Sequence, residues 1–120
     1  MSNGYKDFEV YKWAHKLGVD IHYFSLTLPK FELYEIGSQI RRSSKSVSAN
    51  IVEGYGRHRY HADYIRFLII AQASCDETSE WLAYIQDCYS EFDESVKHLL
   101  SCTDQVGRML NKFIQALEKR

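Results

Sequence analysis

Proline is almost missing from this chain. Pro29 is the one proline among 120 residues, and there are only six glycines. A sandwich or a barrel needs many turns, and these residues are too few to supply them. Long, rarely interrupted helices are expected instead. Net charge is almost missing too: fifteen basic and sixteen acidic residues leave a formal −1. That balance argues against a strongly basic nucleic-acid binder and against a disordered polyelectrolyte. It also does nothing to oppose self-association. The longest purely apolar run, Phe67 to Ala71, is far too short to span a bilayer, so no membrane partner is expected. Met1 to Phe8 contains no apolar stretch of the kind a secretory signal needs, which predicts a cytoplasmic chain. Cys75, Cys88 and Cys102 are odd in number and form no C-x-x-C. Reduced, buried thiols are expected, with an inter-chain disulfide or a reactive thiol as the alternative.

What remains is periodic. A chain this long makes one domain, residues 1–120, and folding buries roughly two-thirds of its surface. Val10, Ala14, Leu17, Ile21, Phe24 and Leu28 step 4-3-4-3-4, which predicts a helix from about Asp7 to Leu28, ended by Pro29. A short link, Lys30 to Glu32, follows. Ile36, Ile40, Val47 and Ile51 mark the core face of a second helix, about Leu33 to Tyr55. Its other faces carry Ser43, Ser44, Ser46, Ser48 and Ala49, small enough for a neighbouring backbone to come close. Gly54 and Gly56 at its exit suit a left-handed cap. Tyr64, Leu68, Ala71, Cys75, Thr78, Leu82, Ile85 and Tyr89 define a third helix, about His61 to Tyr89. A second stripe beside the first (Phe67, Ile70, Ser74, Trp81, Tyr84) implies cover on more than one side. Ser90-Glu91-Phe92-Asp93 resembles a capping box that starts a fourth helix. Phe92, Val96, Leu99, Thr103, Val106, Leu110, Phe113 and Leu117 form its stripe. Stripes of period 3.5 and short links predict an all-α, antiparallel up-down-up-down four-helix bundle.

Two features exceed what a core requires. Gln39, Arg42, Ser46, Asn50 and Glu53 share one face of the second helix, away from Ile40 and Val47. Arg66, just past the next turn, is placed to meet Glu53. Gln, Ser and Asn among small residues read as a partly buried, hydrogen-bonded seam. The functional reading is a subunit interface made by Gln39, Arg42, Ser46, Asn50, Glu53 and Arg66. The alternative is a solvated face with ordinary intrahelical pairs. The second feature is sorted charge. Arg41, Arg42, Lys45, Arg57, Arg59 and Arg66 face only Glu53 and Asp63 between residues 41 and 66, whereas Asp76 to Glu94 holds seven acids and no base. Near the turn the basic stretch mixes with Tyr55, His58, Tyr60, His61 and Tyr64. Cations neutralise phosphates and tyrosines stack on bases, so Arg41, Arg42, Lys45, Arg57, Arg59 and Tyr60 are the nucleic-acid candidates. The alternative is complementary charge, with the basic end set against the acidic stretch inside or between subunits.

Catalytic and metal chemistry find no purchase. There is no Glu-x-x-His for a di-iron centre, no G-x-x-x-x-G-K-[ST] and no G-x-S-x-G. His58 and His61 flank a turn without a third ligand, and His15 and His22 lie on the first helix without a paired acid or nucleophile. No catalytic residue, metal site or cofactor is therefore expected, and the protein is read as non-enzymatic.

The order of the motifs resembles a known family. Tyr5-Lys6-Asp7-Phe8 with Tyr11-Lys12-Trp13 is similar to the opening of the bacterial four-helix bundle protein family. This family includes proteins encoded by intervening sequences in large-subunit ribosomal RNA genes, and it is related to the accessory variability determinant proteins of diversity-generating retroelements. Gln39-Ile40-Arg41-Arg42-Ser43-Ser44 and Ser46-Val47-Ser48-Ala49-Asn50-Ile51-Val52-Glu53-Gly54 resemble the family's Q-x-R-R-A-x-x-S-I-x-x-N-I-A-E-G core. Gly56-Arg57, Arg66-Phe67-Leu68 and Ile70-Ala71 continue it, so the likeness spans about residues 5–90. Departures are Ser43 and Ser44 for an alanine pair, Gln72-Ala73 for Arg-Gly and His61 for a lysine. The resemblance implies a bundle assembled as a homo-oligomeric ring, typically a homopentamer. For the retroelement relatives it further implies a basic ring surface that binds nucleic acid, RNA or DNA, and a partner reverse transcriptase.

Overall fold

The computed structural model describes residues 4–120. Four long helices carry the fold: α1 (Glu9–Ser25), α2 (Ile36–Gly56), α3 (His61–Cys88) and α4 (Asp93–Glu118). Short 3-10 turns at Gly4–Asp7, Lys30–Tyr34 and Ser90–Phe92 complete it, and no strand occurs among the described residues. The molecule measures 46 × 23 × 21 Å. Its long axis is set by α3, whose 28 residues rise about 42 Å at about 1.5 Å each. Helix α1 packs on α2 and α4, and α3 packs on α2 and α4. No helix is long and apolar enough to cross a membrane among the described residues.

The predicted stripes meet in one core. Leu17, Ile21, Ile40, Val47, Leu68, Ile85, Val96 and Leu110 are all buried. Thr78 and Thr103 hold core positions as well. Each hydroxyl donates to the carbonyl four residues back, Ser74 at 2.8 Å and Leu99 at 2.7 Å, so neither is an unsatisfied polar group. Phe24, Ile36, Tyr89, Phe92 and Phe113, all expected in the stripes, are only half-buried. In α4 the buried residue is Ile114, and Phe113 is only half-buried. A 3.6-residue turn drifts against a 3.5-residue repeat, so the contact row moves over along a 26-residue helix. In α1 the row ends on buried Ser25, while Phe24 leans out against Phe92 with ring centroids 5.7 Å apart.

The ends also differ. Helix α1 stops at Ser25 because the amides of Leu26, Thr27 and Leu28 take carbonyls three residues back, tightening the chain into Pro29. No capping box forms at α4: residues 90–92 wind into a 3-10 turn, and Phe92 precedes the helix with no side-chain cap. Gly54 and Gly56 lie within α2, and neither takes a left-handed φ.

The first and third connections are tied together. Glu32 is buried; its Oε1 accepts from the Ile36 amide at 3.4 Å, at the open end of α2, and its Oε2 accepts from Tyr89 Oη at 2.6 Å. That hydrogen bond holds the Tyr89 phenol up at about 12, with burial adding to it. Arg41 locks the same region from below, donating to the Leu33 carbonyl at 2.6 Å and to Ser25 Oγ at 3.0 Å.

Gly37 makes this closure possible. A Cβ there would lie 2.6 Å from the Glu32 carbonyl oxygen and 3.0 Å from Arg41 Nη1. Gly107, in the middle of α4, has nothing within 4 Å of the same point. The two glycines should therefore respond with opposite sign. Gly37→Ala should destabilise by about 1–3 kcal/mol through overpacking. Gly107→Ala should stabilise by about 0.5–1 kcal/mol through helix propensity. Urea unfolding of both variants checks this.

Candidate nucleic-acid and subunit interface

The polar stripe on α2 faces the edge of α3 in the same chain. Arg42 Nη2 donates to Gln39 Oε1 at 2.6 Å and to Glu77 Oε2 on α3 at 3.1 Å. The same Glu77 oxygen accepts from the Trp81 indole at 3.0 Å. Ser74 on α3 donates to Ser46 Oγ at 3.0 Å, while Asn50 Nδ2 donates to the Ser46 carbonyl at 2.8 Å and to its hydroxyl at 2.9 Å. Below this row, Ser43 and Thr78 share a fully buried hydroxyl–hydroxyl bond of 2.9 Å. The stripe is thus a hydrogen-bonded seam along α2 and α3, with Gln39, Ser46 and Asn50 half-buried and Arg42 and Glu53 exposed.

Arg66 and Glu53 do not pair. Glu53 accepts from Arg57 Nε at 3.1 Å, one turn on, and Arg57 also reaches Asp63 at 3.6 Å. Arg66 turns to Asp63 at 3.7 Å. Both guanidinium groups lie over Phe67, 4.9 Å (Arg57) and 4.6 Å (Arg66) from its centroid. These pairs are exposed, so each contributes about 0–1 kcal/mol; their effect is to orient the arginines. The ring that organises them is visible in the sequence only as a core-like apolar residue.

The six nucleic-acid candidates do not converge on one patch. Arg41 is committed to the first connection. Arg42 sits on the seam with Glu77. Lys45 points to the α1 side, its Nζ 3.0 Å from His22 Nδ1. Arg57, Arg59 and Tyr60 lie at the α2–α3 turn, about 22 Å along the helix from Arg42 at about 1.5 Å per residue. Among the described residues Arg59 makes no ion pair, and Tyr60 is 64% exposed. The other aromatics of this end are used internally. Tyr55 stacks on His58 at 4.7 Å and meets Phe8 edge-on at 5.4 Å; Tyr64 meets Phe113 at 5.9 Å. Burial pushes the Tyr64 phenol up to about 12, with Tyr55 adding to the shift.

The outward face of α3 exposes a few apolar side chains among its charges. Ile69 is 47% exposed and Ile70 36%, and Tyr84 lies half-exposed further along. Ile70 shares a helical row with Arg66, Ser74 and Glu77, so it continues the seam outward. No group of three His, Cys, Asp or Glu is placed to hold a metal ion among the described residues.

All three cysteines are free, but only Cys75 is buried; Cys88 is exposed and Cys102 partly so. Cys88 is the last residue of α3, where the core stripe has passed to Ile85. Burial drives the Cys75 thiol from 9.0 up to about 12, with Asp76 adding to it. A thiol-specific disulfide reagent should therefore label Cys88 first and Cys75 only on unfolding. Cys75 and Tyr64 both bind their protons more tightly folded than unfolded. Stability is then complete below the ordinary thiol value and falls as pH rises from about 9 towards 12. Urea midpoints across that range should decline, and Cys75→Ala should make the decline shallower.

The family described as 23S rRNA-intervening sequence protein matches residues 6–112. Among solved structures the chain is similar to a protein from Bacteroides thetaiotaomicron, described as of unknown function and from the S23 ribosomal protein family. The two are 25% identical with a TM-score of 0.77, over 88% of this chain and 95% of that one. No curated protein matches.

Proposed function

The chain belongs to the 23S rRNA-intervening sequence protein family, and from that premise we propose that it is a non-enzymatic, cytoplasmic, nucleic-acid-binding accessory protein. In this reading its four helices form an antiparallel up-down-up-down bundle that assembles as a homopentameric ring. The observation that carries nucleic-acid binding is the α2–α3 turn. Among the described residues Arg59 there has no acidic partner, Tyr60 stands exposed beside it, and Arg57 is held at the same end by Glu53 and Asp63. A ring would repeat this basic, aromatic end once per subunit, which suits a flexible polyanion better than a single copy does. The family description, which refers to 23S rRNA, favours RNA over DNA.

Assembly draws support from the outward face of α3. Ile69, Ile70 and Tyr84 expose apolar surface next to the seam of Gln39, Arg42, Ser46, Asn50, Glu53 and Arg66. A second copy laid on this face would bury the isoleucines and leave the seam's polar groups to set register. A reverse transcriptase partner belongs to the same reading only if the gene sits beside one.

Native mass spectrometry at micromolar concentration should show a pentamer, and Ile69→Glu should release monomers. A stable wild-type monomer would overturn the ring. Filter binding to single-stranded RNA should weaken steeply with salt. Arg57→Ala with Arg59→Ala should flatten the log–log slope by about 1.4, at about 0.7 for each lost phosphate contact. The pairing of Arg42 with Glu77 and of Arg57 with Glu53 favours a second reading, an assembly module without nucleic acid. Absence of RNA binding at low salt would leave that one standing.

A further inference from the structure

A groove of about 320 Å³ runs between α1 and α2, on the side opposite the seam. Its floor is Gly18, where a Cβ would come within 3.8 Å of Lys45 Cγ and of the Ser44 carbonyl. One wall is apolar and open: Val19 and Tyr23 are exposed, Tyr23 by 67%. The other wall is cationic. An ammonium group has no acceptor, so Lys45 Nζ donates across 3.0 Å to His22 Nδ1, which leaves the imidazole proton on Nε2 as a further donor. His15 lines the same groove about two turns before His22, and no carboxylate lines it. Lys45 has no ion-pair partner among the described residues.

A cation without a carboxylate partner among the described residues, and nitrogen donors beside an exposed phenol ring, complement an anion that carries a flat apolar body. The volume sits at the small end of ligand sites, room for one such unit. We propose that this groove binds a nucleoside-monophosphate unit, with the phosphate on Lys45 and His22 and the base against Tyr23 and Val19. The site is separate from the α2–α3 turn. Lys45 and Arg57 are twelve residues apart on α2, about 18 Å at about 1.5 Å per residue, so either site can fail without the other.

The test uses the intact protein, followed by amide NMR during titration with AMP, adenosine and inorganic phosphate. AMP should shift Gly18, Val19 and Tyr23 saturably, and adenosine and phosphate should each bind at least about tenfold more weakly. Lys45→Ala should weaken AMP by about tenfold or more, the loss of one charge-assisted contact, with amides elsewhere in the spectrum unmoved. Arg57→Ala with Arg59→Ala should leave AMP binding unchanged, which separates this site from the turn. Displacement of AMP by a single-stranded oligoadenylate would identify the unit as part of a strand, and failure to displace it would identify a free nucleotide; both support the site. No AMP shifts at millimolar ligand, as a groove covered by a second copy would give, or equal binding by Lys45→Ala, would overturn it.

Discussion

Helix α2 lies close to its neighbours because glycine and serine share its contact face with Ile40, Val47 and Ile51. Gly37 touches the first connection, Gly54 admits Phe67 and the Tyr64 carbonyl, and Ser43 and Ser44 are buried against the flanking helices. Large apolar side chains at these points would bury more area but hold the helices further apart. The close approach brings hydroxyls and carboxylates within reach across the gap. Ser43 meets Thr78, Ser46 meets Ser74 and Arg42 meets Glu77 because the backbones are near. The α1–α2 groove has the same origin, since it opens over Gly18 where a side chain is missing.

This packing also decides where the charge goes. Along the chain, Arg41 and Arg42 are neighbours; around the helix they are about 100 degrees apart. One is therefore drawn into the first connection and the other stands on the seam. Lys45 falls on a third side. Neighbouring basic residues of one helix thus serve three different surroundings, and the turn at residues 57–60 keeps two arginines and an exposed ring together.

The helices and most of the core were legible because burial repeats with the helix turn, and a repeat needs no knowledge of the partner. Leu17, Val47, Leu68 and Val106 fall where the stripes place them. Helix ends were less legible, since Ser90 and Gly54 can each make a cap but neighbouring geometry chose a 3-10 turn and a close contact instead. The α2 stripe could be read as hydrogen-bonded, yet its partner on α3 could not, because periodicity identifies a face and not what covers it. Tyr55 and Tyr64 posed the same ambiguity: a ring that can stack on a base can equally pack on Phe8 or Phe113. Glu32 and Tyr89, 57 residues apart in the chain, carry no local signal at all.

The two ends of the molecule are fastened in unlike ways. Near residues 57–64 a web of rings (Phe8, Tyr55, Tyr64, Phe113) shares the contact among several edge-to-face pairs. At the other end directional hydrogen bonds carry more of the fastening: Tyr89 donates to Glu32, and Arg41 ties the Leu33 carbonyl to Ser25. Redundant fastening lets residues drift one at a time, because each loss is shared by those that stay. A directional bond does not, since losing Tyr89 strands a buried carboxylate oxygen without its donor. Among descendants of this sequence the aromatic end is free to vary gradually, whereas Tyr89 is bound to stay for as long as Glu32 does.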